Sequence, residues 1–227
     1  MSRLLFPLLI GLAGTLILLW LGLWQLDRLA WKEGILAEIE TQIGADPVPL
    51  PAYSDPEADK YLAVTVSGQF GEGLLRVLVS QKQVGPGYLI VSPFRTDDGR
   101  TILIDRGFLR LETPPTPPPA GSVTLTGNLH WPDDRTSSTP ENDVAENIWF
   151  ARDIPQMAEI LQTEPVLIVA REIPGSLAVA PLPVTIENIP NDHLQYAVTW
   201  FSLAAIWVVM TGYYIFRNRK RPEGAET

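Results

Sequence analysis

Two long apolar runs without a charged side chain stand near the two ends of the chain. Residues 4–26 and residues 194–216 each form a run of 23 residues. As an α-helix such a run is about 34 Å long, which exceeds the hydrocarbon core of a bilayer at about 30 Å. The first run is too long for the apolar part of a secretory signal, and no small-residue cleavage motif follows it. We therefore predict two retained transmembrane helices, at residues 4–26 and 194–216.

Between the two runs, the apolar positions change to a period of two, which is typical of half-buried strands. Residues 27–43 first continue the first helix as a polar extension, because Trp31, Ile35 and Ile39 recur at helical spacing. Four prolines between residues 46 and 56 then end this helix. The alternating runs predict strands at residues 61–70, 74–80, 87–94, 101–109, 122–131, 147–152 and 165–171.

Turn and capping residues connect these strands. The Asp-Asp-Gly sequence at residues 97–99 predicts a tight hairpin between the third and fourth strands. Asp153 is a typical N-cap, so we predict one short helix from there to residue 161 or 162. Residues 113–119 are proline-rich and are expected to form an extended surface loop, since proline cannot donate the hydrogen bonds of a sheet. The elements predict a membrane protein in which two transmembrane helices flank a mainly antiparallel β domain with one short helix, closed as a small barrel or a curled sheet.

The charges that flank the apolar runs predict the topology. Residues 217–227 hold four Arg and Lys side chains directly after the second run, so they are expected to form a basic tail in the cytoplasm. Two spans put both termini on the same side of the membrane. Residues 27–193 then form a periplasmic domain with 12 basic and 24 acidic side chains, a net charge of −12. The net charge of the whole chain, −9, argues against nucleic acid as a partner, and the expected partner of the spans is the lipid bilayer.

The composition excludes several kinds of chemistry. The chain has no Cys, which rules out thiolate metal sites, iron–sulfur clusters and a Cys nucleophile. Only His130 and His193 supply imidazole, and three Met residues without Cys disfavour delivery of Cu(I), which prefers soft sulfur ligands. No Gly-x-Ser-x-Gly elbow is present to position a nucleophilic serine. We therefore expect a protein that is not an enzyme, and a periplasmic hydrolase has little support.

Aromatic and ionisable residues recur along one face of each predicted transmembrane helix. The two faces comprise Trp20, Trp24, Arg28 and Trp31 on the first helix, and His193, Tyr196, Trp200 and Trp207 on the second. One interpretation is an aromatic belt at the membrane interface, with Arg28 as a snorkelling cation and His193 as a polar anchor. In the other interpretation the indoles stack on a flat ligand, Arg28 pairs with its carboxylate and His193 ligates a metal or haem iron. Spacing alone favours the belt, although an ionisable group that faces a helix bundle is a candidate for function.

Two further polar positions lie in the predicted β domain. His130 stands at the end of a strand and is expected to be structural or exposed. The sequence Asp105-Arg106-Gly107 ends another strand, and there we expect an ion pair that fixes a turn. Nothing in the sequence supports catalysis at this position.

Five stretches, in order along the chain, resemble the surfeit locus protein 1 family. They are LGLWQLDRLAWK (residues 21–32), GQF (68–70), GYLIVSPF (87–94), IDRGF (104–108) and NDHLQYAVTWF (191–201). Together the five stretches are specific to this family, whereas taken one at a time only the first and the last are. The family consists of membrane proteins that assist the assembly of haem–copper oxidases, notably cytochrome c oxidase. Bacterial members are similar to haem a binding proteins that hold the cofactor before its insertion into subunit I.

The resemblance also implies roles for individual residues. The implied cofactor-binding residues are His193, Arg28, Trp24, Gln25, Tyr196 and Trp200. His193 occupies the position of the family's proposed haem iron ligand, and we expect Arg28 to lie near a propionate. In the strand motif, Asp105 and Phe108 stand where the family usually has Asn and Trp, so no specific role is assigned to that motif.

The same resemblance makes haem a the cargo, with subunit I of the oxidase and the enzymes of haem a synthesis as expected partners. With no presequence ahead of the first span, we expect a bacterial inner membrane rather than a mitochondrion, with both termini cytoplasmic. An alternative from another class is a scaffold that docks oxidase assembly partners through its acidic domain and never binds haem. The sequence leaves both functions open.

Overall fold

The computed structural model describes residues 2–81, 84–114, 117–175, 179–187 and 189–219. In chain order the elements are α1 (Ser2–Gly44), β1 (Val48–Pro49), β2 (Ala63–Phe70), β3 (Leu75–Gln81), β4 (Gly85–Thr96), β5 (Thr101–Arg110), β6 (Val123–Leu129), α2 (Ile154–Leu161), β7 (Leu167–Glu172) and α3 (His193–Arg219). The chain divides into two compact units. The helical unit is Met1–Glu38 with Glu187–Thr227, and the sheet unit is Ile39–Ile186.

The two predicted apolar runs lie in α1 and α3. Both helices are long and apolar enough to cross a bilayer. The predicted polar extension of the first run is confirmed, because α1 continues without a break to Gly44 and its 43 residues extend over about 65 Å. α3 begins at His193, one residue before the predicted span, and Arg217 and Arg219 lie in its last turn, where cations are favourable. The rest of the predicted basic tail lies outside the described residues.

The C-terminal end of α1 belongs to the sheet unit and is capped there by side chains. The last carbonyl groups of a helix have no partner within the helix itself. The carbonyl of Ile43 accepts hydrogen bonds from Asn128 Nδ2, at 3.2 Å, and from the guanidinium of Arg171. Arg171 also donates from Nε to Asn128 Oδ1 at 2.8 Å, so the two capping side chains hold each other in place.

The sheet unit is built on one mixed sheet of seven strands in the order β1-β2-β6-β7-β5-β4-β3. β1 with β2 and β5 with β7 are parallel pairs, whereas the other pairs are antiparallel. The sheet curls, so that residues 68–70 of β2 also pair with residues 94–96 of β4. Of the two predicted closures, the curled sheet is confirmed and the small barrel is wrong, since the strand order ends in β1 and β3. The parallel pairs were not expected. A period of two encodes the face that a residue occupies but not the direction of the neighbouring strand.

Six of the seven predicted strands are confirmed, with ends that shift by no more than two residues. The strand predicted at residues 147–152 is wrong. Asn147 has a left-handed φ of 54°, which interrupts an extended strand, and Trp149 makes only an isolated bridge to Val77. The short strand β1 was not expected in the proline-rich break; Pro49 is tolerated there because β1 stands at the edge of the sheet.

Turns and caps follow the local sequence closely. The hairpin predicted at residues 97–99 connects β4 and β5, and Gly99 has a φ of 90°, a conformation that favours glycine. The predicted N-cap of α2 is confirmed, since the side chain of Asp153 accepts the backbone N–H three residues further on at 3.2 Å. Of the predicted loop at residues 113–119, residues 115 and 116 lie outside the described residues, and the remainder contains no strand.

Side chains of the sheet alternate between two cores on its opposite faces. On β5, Leu103 packs in the core that contains α2, whereas Ile102 and Ile104 pack in the other. Met157 of α2 is completely buried in the first core. Burial of one such side chain stabilises the fold by about 1.5–3 kcal/mol, and packing of this kind stabilises a helix that is too short to form alone.

Candidate functional site

In the helical unit, α1 and α3 pack along a seam of mostly small residues. The buried seam positions are Gly11, Gly22, Gln25, Ala197 and Ala204. A Cβ atom at Gly22 would lie 2.6 Å from the ring of Phe201, so any other residue at this position would force that ring to move. Near the other end of the seam, the indole N–H of Trp207 donates to the Gly11 carbonyl at 3.1 Å. Small residues at a helix interface allow such close packing in apolar surroundings.

A side-chain hydrogen bond joins the two helices at Gln25 and His193. Gln25 Oε1 lies 2.8 Å from His193 Nδ1. Gln25 is only 8% exposed, and His193, the first residue of α3, is half-buried. Because an amide oxygen only accepts hydrogen bonds, the contact requires a proton on Nδ1, and in the neutral form of the ring the lone pair is then on Nε2. A neutral imidazole with this arrangement is suited to bind a metal ion or a haem iron.

Arg28 lies one helical turn beyond Gln25 on α1. Its guanidinium carbon is 4.0 Å from the ring centroid of Trp31, which is a cation–π contact. Among the described residues, no carboxylate lies within ion-pair distance of Arg28. The side chain therefore offers a positive charge to an anionic group from outside the chain.

Trp200 carries a further buried polar atom on α3. It lies seven residues after His193, which is two turns along the same face of α3. Its Nε1 is buried and has no hydrogen-bond partner within the part of the chain that the structure describes. An unpaired buried donor costs about 1–3 kcal/mol, so an acceptor group of a ligand at this atom would be stabilised.

Trp24 and Tyr196, the other two site residues suggested by the sequence, are largely exposed, at 45% and 55%. Among the described contacts, no hydrogen bond or ring contact joins either side chain to His193. The structure therefore brings together Gln25 and His193 from the sequence-derived set. Arg28 and Trp200 flank this pair along their own helices, and the two exposed aromatic side chains face outward.

A buried ion cluster in the sheet unit corrects the expected role of Asp105-Arg106-Gly107. Asp105 is 2% exposed, and it pairs with Arg152 Nη1 at 3.4 Å and accepts the Gly107 N–H at 3.0 Å. Arg152 also binds both carboxylate oxygens of Asp134, at 2.7 and 3.2 Å. Burial raises the pKa of Asp105, and the charge of Arg152 opposes this rise. Burial acts in the same direction on Asp134, but hydrogen bonds and charge from Arg152 outweigh it and lower the pKa.

His130 directly follows β6 in the sheet unit. Burial, with the charges of Arg152 and Lys60, lowers the pKa of His130 from 6.5 to about 4, so the imidazole is neutral. Its ring lies 5.5 Å from that of Tyr61. No group of three or more metal-ligating side chains occurs in the described residues, and two cavities of the sheet unit, about 380 and 240 Å³, have no His in their linings. These observations favour a structural role for His130.

The fold and the site define a class of proteins in which two paired apolar helices, joined by a partly buried Gln–His hydrogen bond, precede and follow a mixed sheet unit along the chain. Comparison with known proteins identifies the family. The model of the SURF1 family matches residues 12–205, a range that includes all five motif stretches. The chain belongs to the SURF1 family, and the resemblance seen in the sequence is confirmed.

Individual relatives agree with this assignment. Human Surfeit locus protein 1 is 35% identical over 213 residues, which are 82% of this chain and 69% of that protein. The rat Surfeit locus protein 1 is 33% identical over 225 residues, 87% of this chain and 71% of that protein. A bacterial SURF1-like protein from Rickettsia bellii is 30% identical over 229 residues, 93% of this chain and 91% of that protein. SURF1 proteins are assembly factors linked to cytochrome oxidase.

Proposed function

We propose that this protein binds haem a as cargo and aids its insertion into subunit I of cytochrome c oxidase. The observation that carries the proposal is the contact between His193 Nδ1 and Gln25 Oε1, because it leaves the lone pair of Nε2, which would ligate the haem iron. The enzymes of haem a synthesis are the expected donors of the cargo.

The side chains around His193 fit the chemistry of a haem. Arg28 has no carboxylate partner among the described residues, so its positive charge could pair with a haem propionate. The unpaired indole N–H of Trp200 suits an oxygen substituent at the edge of the ring. Exposed apolar side chains, among them Trp24 and Tyr196, offer flat surfaces for the macrocycle and its hydrocarbon tail.

The proposed setting is a bacterial inner membrane that α1 and α3 both cross. The cations in the last turn of α3 then face the cytoplasm, and residues 27–193 face the periplasm. A reporter that is active only in the cytoplasm should work when it is fused after residue 221. Activity of the same reporter inside the loop at residues 113–119 would contradict this topology.

An absorption spectrum tests haem binding directly. The full chain is purified in mild detergent from cells that make haem a. His193→Ala should abolish or strongly weaken the Soret band, whereas His130→Asn, which alters the chain's other imidazole, should retain it. Arg28→Ala should weaken binding by about 1–3 kcal/mol, since only one partly solvated ionic contact is lost. Full occupancy with an unchanged spectrum in His193→Ala would show that the axial ligand lies elsewhere.

The acidic excess of residues 27–193, 24 acidic against 12 basic side chains, favours a second candidate function. In that case the protein is a scaffold that docks basic assembly partners and carries no haem. The scaffold predicts that oxidase assembly survives His193→Ala and is lost when surface carboxylates of the sheet unit are neutralised. Haem delivery predicts instead that oxidase assembly is lost in His193→Ala and survives the neutralisation of these carboxylates.

A further inference from the structure

The contact between Gln25 and His193 selects one form of the imidazole. Gln25 is 8% exposed in an otherwise apolar helical run, where a buried amide is costly unless it has a partner. Its Oε1 lies 2.8 Å from Nδ1, and a neutral imidazole carries only one N–H. The contact therefore requires the proton on Nδ1. The other nitrogen, Nε2, is left as the only one with a lone pair.

We infer that Gln25 is a positioning residue that holds His193 as the Nδ1–H tautomer, and that its neutral amide supports the Nε2–iron bond less than a carboxylate would, so that the cargo can still be released. The second half of this inference rests on the proposed function. Metal-ligating histidines very often donate their second N–H to a carboxylate or a carbonyl oxygen, which raises the basicity of the ligand. A carboxylate accepts more strongly than an amide. A carrier that passes its haem on is therefore better served by Gln25 than by Glu at this position.

The tautomer is measured first, on the full chain without haem, in detergent micelles and alkaline buffer. Imidazole nitrogens are labelled with ¹⁵N, and because the chain has two His residues, a His130→Asn variant assigns the signals of His193. We expect a protonated Nδ1 and an unprotonated Nε2. Gln25→Met, which keeps the length but removes the acceptor, should move the proton to Nε2. The control Gln195→Met, an exposed amide on α3, should leave it in place.

A proton on Nε2 in the wild-type protein, or an unchanged tautomer in Gln25→Met, would overturn the positioning role, whatever the protein does with haem. This measurement needs no haem, so it also separates the inference from the proposed function. If Nδ1 is protonated but the protein does not bind haem through His193, the proposed function fails and the release role fails with it. The tautomer assignment then stands alone.

The release role is tested by transfer of haem from the loaded protein to an excess of an apo-globin. Gln25→Met should speed the loss of haem by about 10- to 100-fold, the usual effect of losing a partner of a metal-bound histidine. Gln25→Glu should slow the transfer and lower the reduction potential of the bound haem, since a more basic ligand stabilises ferric iron. Transfer rates and a potential that match the wild type in Gln25→Glu would overturn the release role.

Discussion

Removal of Arg152 is expected to leave an uncompensated charge in the core of the sheet unit. In the wild-type protein, this guanidinium contacts Asp105 at 3.4 Å and binds Asp134 through two hydrogen bonds. Asp105 is 2% exposed and Asp134 is 31% exposed, so water can solvate the second carboxylate but not the first. Arg152→Met keeps an unbranched side chain of similar length and removes only the charge and the donors.

The magnitude follows from burial and geometry. Breaking a buried ion pair by removing one partner costs about 3–5 kcal/mol. The lower end applies here, because the contact to Asp105 is long and because Asp105 keeps the hydrogen bond from the Gly107 N–H at 3.0 Å. We therefore expect a loss of about 3 kcal/mol in the free energy of unfolding. The double variant Arg152→Met with Asp105→Asn should recover part of this loss, since no buried charge remains.

Urea unfolding of the full chain in detergent measures the loss, followed by hydrogen exchange of peptides from β5 and β7. With a slope of about 1–3 kcal/mol per molar, the midpoint should fall by about 1–3 M. The loss in the free energy of unfolding should also depend on pH. Without Arg152, the pKa of Asp105 rises further above its unfolded value, so the folded state binds more protons and the deficit shrinks as the pH falls.

Arg135→Met is the matched control. Arg135 is 40% exposed and pairs with Glu141, which is 91% exposed, and more distantly, at 3.8 Å, with Asp153. These contacts are solvated, so removal of Arg135 should cost no more than about 1 kcal/mol. A loss below about 1 kcal/mol in Arg152→Met would refute the reasoning, because it is smaller than the cost of one unpaired buried charge. A larger loss that stays constant between neutral and acidic pH would also refute it, since the penalty would not come from an ionised Asp105.

Three further predictions concern the sheet unit. Gly107→Ala should destabilise the fold by several kcal/mol, clearly more than Gly99→Ala, as measured by urea midpoints. Both glycines have positive φ, but only the Cβ added at Gly107 would collide with a backbone atom, the carbonyl oxygen of Ala180. His130→Gln should flatten the fall in stability between about pH 6.5 and pH 4, because the folded wild type resists protonation until its pKa of about 4, at a cost of up to about 3 kcal/mol. An equally steep fall in the variant would assign the acid sensitivity to carboxylates. Asp153→Ala should cost about 0.5–2 kcal/mol through loss of the α2 cap, and Asp153→Asn should restore most of it in the same assay.

Local patterns in the sequence determined most of the elements. The two uncharged runs, the polar extension of α1, six strands, the turn at residues 97–99 and the Asp153 cap all depend on signals that act over a few residues. The failure at residues 147–152 has a local cause as well, since alternation does not report that Asn147 adopts a left-handed φ. The family motifs likewise indicated Gln25 and His193 as site residues, each from its own motif, but not the contact between them.

Only the tertiary structure decided which elements meet. The parallel pairing of β5 with β7 and the contact of β2 with β4 place strands side by side that no periodicity distinguishes. Arg152 reaches Asp105 across 47 positions, and His193 reaches Gln25 across 168. Such contacts depend on the packing of separate elements. Periodicity describes one element at a time, so the partner of a buried polar group is settled only when the elements are assembled.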